Sequence, residues 1–212
     1  MAGNTGALPW STQEWPELVA RETAHIKRGQ RYVRGLFAGG TFCYQAQQIL
    51  QDAGLVVHSN VPLPGNVRLD DANHSVAHTL VDMGSDEFTQ GRPHPMIDSS
   101  LRRERILAEA QDPEVAILLL DFILGYNAAP DPAGELAEAI GKARALAVQR
   151  GRYLSIIASV CGTEGDPQDL ARQCRVLMEA GAIVLPSSAQ AARLCATLAA
   201  SLQEATDGQP SG

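Results

Sequence analysis

The sequence predicts an α/β fold: a flavodoxin-like, doubly wound, mainly parallel sheet in a three-layer sandwich. Short apolar runs at residues 32–38, 115–120 and 154–160 alternate with longer stretches of helical period, the pattern of successive βαβ units. The run over 115–120 contains no polar residue, as in a parallel strand buried on both faces. Glycines follow the helical stretches at Gly54, Gly151 and Gly181, where helices commonly stop.

The elements follow in order. Residues 1–29 read as a disordered leader and a peripheral helix, capped at Ser11 or Thr12 and carrying Leu18, Val19 and Ile26. A strand over 32–38 runs into Gly39-Gly40-Thr41, which opens a helix ending at Gly54. A second strand is expected at 55–57. Residues 59–75 hold prolines, glycines, aspartates and asparagines and are expected to be a long loop. A strand at 78–83 feeds a polar stretch, Asp82 to Asp98, too rich in Gly and Pro for either regular element. Asp98 or Ser99 then caps a helix through Leu107. The buried strand at 115–120 ends in Asp121, and a loop through Gly125 leads to a helix reaching Gly151. A strand at 154–160 ends in a loop starting at Cys161-Gly162-Thr163, followed by a helix to Gly181. A last strand at 183–185 and a helix capped by Pro186-Ser187-Ser188 complete a domain spanning 30–205. Residues 206–212 read as a disordered tail.

Composition narrows the function. The chain has 212 residues, 45% hydrophobic and 19% charged, with a net charge of −7. The charge argues against nucleic acid as a partner, which requires clustered Lys and Arg. No signal peptide or membrane span is read, and the expected compartment is the cytoplasm. Cys43, Cys161, Cys174 and Cys195 lack Cys-x-x-Cys spacing and read as buried thiols. For Cys161 the other reading is a thiol activated by helix-start amides. No metal site is expected.

In a doubly wound sheet, ligands bind beyond the carboxyl ends of the strands, and the unusual loops here all follow strands. The candidate catalytic residues are His94, Arg92, Asp82 and Asp121. His94 stands between Pro93 and Pro95. The rings fix φ, and residues preceding proline are pushed to extended geometry, so Arg92 and His94 are expected on a stiff loop. Imidazole titrates near neutral pH and suits proton transfer; guanidinium suits an anion. The other reading pairs Arg92 with a local aspartate and His94 with the backbone. Asp98 reads as a helix cap. Gly39, Gly40 and Thr41 offer amides and a hydroxyl at a helix start, which suit phosphate or carboxylate or simply a tight turn. Gly125, Gly162 and Thr163 complete the candidate anion- and substrate-binding positions.

Five segments carry a family resemblance. They are Tyr-Val-Arg-Gly-Leu-Phe-Ala-Gly-Gly-Thr-Phe-Cys at 32–43, His-Ser-Asn-Val-Pro-Leu at 58–63, the polar stretch with its preceding strand at 78–98, Leu-Leu-Leu-Asp at 118–121 and Val-Cys-Gly-Thr-Glu at 160–164. Together they resemble FdrA proteins, relatives of ADP-forming succinyl-CoA synthetase. The resemblance implies a flavodoxin-like CoA-ligase domain over about residues 30–200. It also implies coenzyme A or phosphate as ligands and a small anionic substrate. Complete family members place a CoA-binding-type Rossmann domain first. A homo-oligomer or a partner subunit supplying that domain is therefore expected. Succinyl-CoA synthetase uses a phosphohistidine in a Gly-His-Ala-Gly loop. The corresponding loop here, Cys161 to Pro167, has no histidine, and His94 lies in another loop, suited to proton transfer or ligand binding. FdrA-type proteins are also linked to oxamate carbamoyltransferase, whose substrates are small, planar and anionic. Two readings follow: a catalytic acyl-CoA synthetase-like module, or a binding or assembly subunit without phosphohistidine chemistry.

Overall fold

A computed structural model describes residues 14–207. Helix α1 (Glu14–His25) precedes β1 (Tyr32–Phe37), α2 (Gly40–Asp52), β2 (Val57–Ser59), β3 (Val67–Arg68) and β4 (His78–Asp82). There follow α3 (Asp86–Thr89), α4 (Ser100–Glu109), β5 (Val115–Ile123), α5 (Pro132–Gln149), β6 (Ser155–Cys161), α6 (Leu170–Glu179), β7 (Ile183–Leu185) and α7 (Ser188–Asp207). The expected leader, the cap at Ser11 or Thr12, and the tail beyond 207 lie outside the described residues.

The seven strands form one sheet in the order β3-β2-β4-β1-β5-β6-β7, and every pairing is parallel. The α/β three-layer fold expected from the sequence is thus present. Side-chain alternation along β5 feeds both layers. Leu118, Leu120 and Phe122 face the layer of α4, α5 and α6, with Ile106, Leu136 and Ile140. Ile117 and Leu119 face α1, α2 and α7, with Leu18, Leu50 and Leu198. Near the start of β5 the register with β1 slips between Tyr32 and Val33, leaving Ala116 as the extra residue, and Ala116 and Ile117 both pack on the α1–α2–α7 side. No helix among the described residues is long and apolar enough to cross a membrane.

Several boundaries differ from expectation. The second strand lies at Val57–Ser59 rather than 55–57, because its partners are His78 and Thr79 of β4 and Val67 of β3. The expected loop at 59–75 contains β3, a two-residue edge strand whose side chains are both exposed, so no hydrophobic alternation marks it. The polar stretch from Asp82 holds a one-turn helix, α3, whose Phe88 is buried. Strand β5 runs on to Ile123, so Asp121 lies inside it, paired with Ser159 of β6, rather than at its end. Cys161 closes β6 and is exposed, unlike the three other thiols, which are buried; at the strand's last residue no helix covers it.

Candidate functional site

Strand β1 lies between β4 and β5, although the chain passes through β2, β3 and β4 before reaching β5. This is the topological switch point of the sheet, where a crevice opens beyond the carboxyl ends of the strands. Three of the predicted loops meet there: the turn after β1 at Gly39, the end of β4 at Asp82, and β5 at Asp121.

Asp121 is buried, and its carboxylate is fully engaged. Oδ1 accepts from the Ala38 N–H (2.8 Å) and from Arg102 Nη2 (3.1 Å), and Oδ2 accepts from the Gly39 N–H (2.8 Å). Arg102, on α4, also donates to the carbonyls of Leu36 (2.9 Å) and Asp121 (2.7 Å), and its guanidinium lies over the Phe122 ring. The pair locks the turn between β1 and α2 from behind. Of the expected helix-start donors, the Gly39 amide is therefore taken up internally. The amides of Gly40 and Thr41 stand in the first turn of α2, where a helix offers them no carbonyl partner.

Asp82 has a different character. Its Oδ1 accepts from the Gly84 N–H (2.9 Å), and Oδ2 has no hydrogen bond among the described residues. That oxygen faces Gly40, where an added β-carbon would stand 2.8 Å away, so Asp82 reaches the first turn of α2 only because Gly40 lacks a side chain. Burial pushes the Asp82 carboxyl up from its ordinary range; the Gly84 N–H and His94 pull it back, and Asp121 adds to the rise. The backbone of Asp82 is clamped by buried Asn60, whose Oδ1 accepts from Asp82 N–H and whose Nδ2 donates to Asp82 O, each at 3.0 Å. Nδ2 also donates to Ser85 Oγ (2.9 Å).

His94 lies nearby, seated on Gly84. Its Nδ1 accepts from the Met96 N–H (3.2 Å). In the neutral ring that bond leaves the proton on Nε2. Nε2 packs on Gly84, where a β-carbon would come within 2.5 Å of it and within 2.9 Å of the Ala38 carbonyl. Only glycine admits the ring here. The result is a half-buried imidazole and a free carboxylate oxygen at the start of a helix, an arrangement able to hold a small oxyanion and move a proton at its edge.

The other predicted residues lie apart or are internally bonded. Arg92 lines a cavity with Pro93 and Pro95 to which neither His94 nor Asp82 contributes. Gly125 N–H donates to Gln168 Oε1 (3.1 Å), and Gln168 Nε2 returns a bond to Gly125 O (2.7 Å). Thr163 N–H and Oγ1 both donate to Asp166 Oδ2 (2.6 and 3.2 Å), a closed turn. Gly162 packs on Leu124. Asp98 Oδ1 accepts from Ser100 N–H (2.8 Å) at the start of α4. Among the described residues no group of three or more His, Cys, Asp or Glu is placed to hold a metal ion. Sequence reasoning did not single out Asn60 and Arg102. Asn60 stood unremarked within 58–63, and Arg102 unremarked within the helix through Leu107; only long-range contact reveals their burial.

Comparison with known proteins bears on the family and the fold. The family model for CoA-ligase matches residues 36–198. The chain is 43% identical over 171 residues to the uncharacterized protein YahF of Escherichia coli (strain K12), across 81% of this chain and 33% of YahF. It therefore spans about a third of the length of that relative. Among solved structures, PH0766 from Pyrococcus horikoshii OT3 superposes with a TM-score of 0.51 at 10% identity, over 91% of this chain and 41% of that one. At that identity the likeness concerns the fold alone.

Proposed function

The chain belongs to the CoA-ligase family, and from that premise we propose that it is an acyl-CoA synthetase-like module handling a small carboxylate or phosphate at the crevice beyond β1, β4 and β5. One observation carries this reading: Asp82 Oδ2, unengaged among the described residues, faces the first turn of α2, and His94, its Nδ1 held as an acceptor, is seated on Gly84, whose N–H binds the other Asp82 oxygen. The Gly40 and Thr41 amides face an anionic oxygen at the helix start. Nε2–H of His94 donates a hydrogen bond to the developing oxyanion, while Asp82, raised by burial, accepts a proton from the attacking group. Histidine here acts as a hydrogen-bond donor, not as a phosphate carrier; the loop from Cys161 to Pro167 has no histidine to carry one. The FdrA-type resemblance of residues 78–98 supports a larger enzyme, of succinyl-CoA synthetase-like ligase or oxamate carbamoyltransferase type. In it, a homo-oligomeric or partner chain brings a CoA-binding-type domain, and CoA or phosphate is the ligand. A second reading, a binding or assembly subunit without catalysis, is favoured by the Gly39 amide and the Asp121 oxygens, which are spent within the protein.

Turnover of acyl phosphate and carbamoyl phosphate separates the two, measured on the chain together with the subunit that supplies the CoA-binding domain. His94→Ala and Asp82→Asn are each expected to lower it about 10²-fold or more, the range for loss of an oxyanion donor or a general base. Unchanged turnover in both variants leaves the assembly reading in its place.

A further inference from the structure

The polar loop has a second face. Pro93 and Pro95 line a cavity of about 290 Å³ against α4, while His94 between them packs onto Gly84 instead. The floor of the cavity is apolar, from Met83, Phe88 and Leu101. Its polar lining has both signs: Arg92, with Asp98 and Glu104. The Arg92 side chain makes no hydrogen bond and no ion pair with any described residue, although two carboxylates share its cavity. Asp98 is held below the ordinary carboxylate range by the Ser100 N–H, and so is charged at neutral pH. A lone guanidinium held apart from two carboxylates over an apolar floor leaves both charges available to one ligand.

We infer that this cavity binds a small zwitterion with a short apolar body, of the class of a branched-chain α-amino acid. The ligand carboxylate pairs with Arg92, a geometry guanidinium favours. Its ammonium faces Asp98 and Glu104, and its alkyl group lies on Met83, Phe88 and Leu101. A simple anion gains from Arg92 but meets two negative charges; a simple amine meets the reverse. The volume is near the lower end for ligand cavities, which limits occupants to a few heavy atoms beyond the charged groups. The inference does not depend on the proposed function, because neither His94 nor Asp82 lines the cavity.

The test is titration of the full chain with L-valine, 3-methylbutanoate and 2-methylpropylamine, followed by backbone amide resonances. L-Valine is expected to give saturable shifts at Phe88 and Leu101, with the carboxylate and the amine each about tenfold weaker. Arg92→Met and Glu104→Gln are exposed positions whose substitution leaves the fold intact, and each is expected to weaken valine binding about tenfold. His94→Ala is expected to leave it unchanged, which keeps this result separate from turnover at the crevice. The inference is overturned if valine produces no saturable shift. It is equally overturned if 3-methylbutanoate binds as tightly as valine, or if Arg92→Met binds valine as well as the native chain.

Discussion

At the amino edge of the sheet Arg34, Arg105, Glu109 and Asp112 close into a network, whereas at the carboxyl edge Asp82 and Arg92 keep bonding capacity unspent. Arg34, in β1, donates to Glu109 Oε2 (2.9 Å) and to Asp112 Oδ2 (2.7 Å). Arg105 and Ser75 share the other Glu109 oxygen, each at 2.5 Å. Arg105 also donates to Ser75 Oγ (2.7 Å) and Ala72 O (2.9 Å). This network ties the end of α4 to β1 and to the loop before β4. The contrast teaches that burial of charge alone does not mark a functional site. The informative feature is charge whose partners do not exhaust it.

That contrast can be broken by substitution. Arg34→Met leaves Glu109 and Asp112 short of a buried partner and is expected to cost about 3–5 kcal/mol in urea unfolding. A loss under about 1 kcal/mol would mean that the network is not the structural element described here.

A smaller effect comes from His78, at the same edge. Its Nδ1 accepts from the Val33 N–H (3.2 Å), and its Nε2 meets Gln203 of α7 (3.3 Å). Burial, then the charges of Arg34, His58 and Arg31, pull its pKa down to about 4. The unfolded imidazole binds a proton near pH 6.5, so between the two values the unfolded state holds more protons and stability falls as the pH is lowered. Stability is complete above about pH 6.5 and is lost toward pH 4; about 2 kcal/mol should go between pH 7 and pH 5. His78→Gln should flatten that part of the profile. A pH-independent unfolding free energy in the native chain over this interval would contradict the buried neutral ring.

The smallest effect is at the carboxyl edge. Arg92→Ala should change stability by less than about 0.5 kcal/mol, since no described residue depends on its charge. A larger loss would place Arg92 with the structural arginines and weaken the contrast.

The sequence made the layer architecture legible because β5 and β6 are apolar on both faces and the helices between them are periodic. It did not reveal β3, whose Val67 and Arg68 are both exposed, or α3, a single turn within polar residues. At the site, the prolines around His94 and the position of Asp82 after a strand were visible as local pattern. The end of β5 was not: Asp121 looks like a terminus in an apolar run, but pairing with β6 continues through Phe122 and Ile123. Asn60 and Arg102 escaped notice because their meaning lies in contacts with β4 and β5, which no window along the chain contains. The same holds for Gly84, which looks like an ordinary loop glycine until His94 is seated on it.

The place of β1 in the sheet has a consequence for synthesis. The strand is translated before both of its neighbours, β4 and β5, and one flank stays unfilled until β5 is made. Until Ile123 has left the ribosome, that flank is an open parallel edge of apolar residues, the kind of surface that recruits other chains. Pairings so distant in sequence also close slowly. The strand on which the crevice is built therefore waits longer along the chain for its second neighbour than any other strand of the sheet, and its exposure during synthesis is most directly governed by how soon β5 arrives.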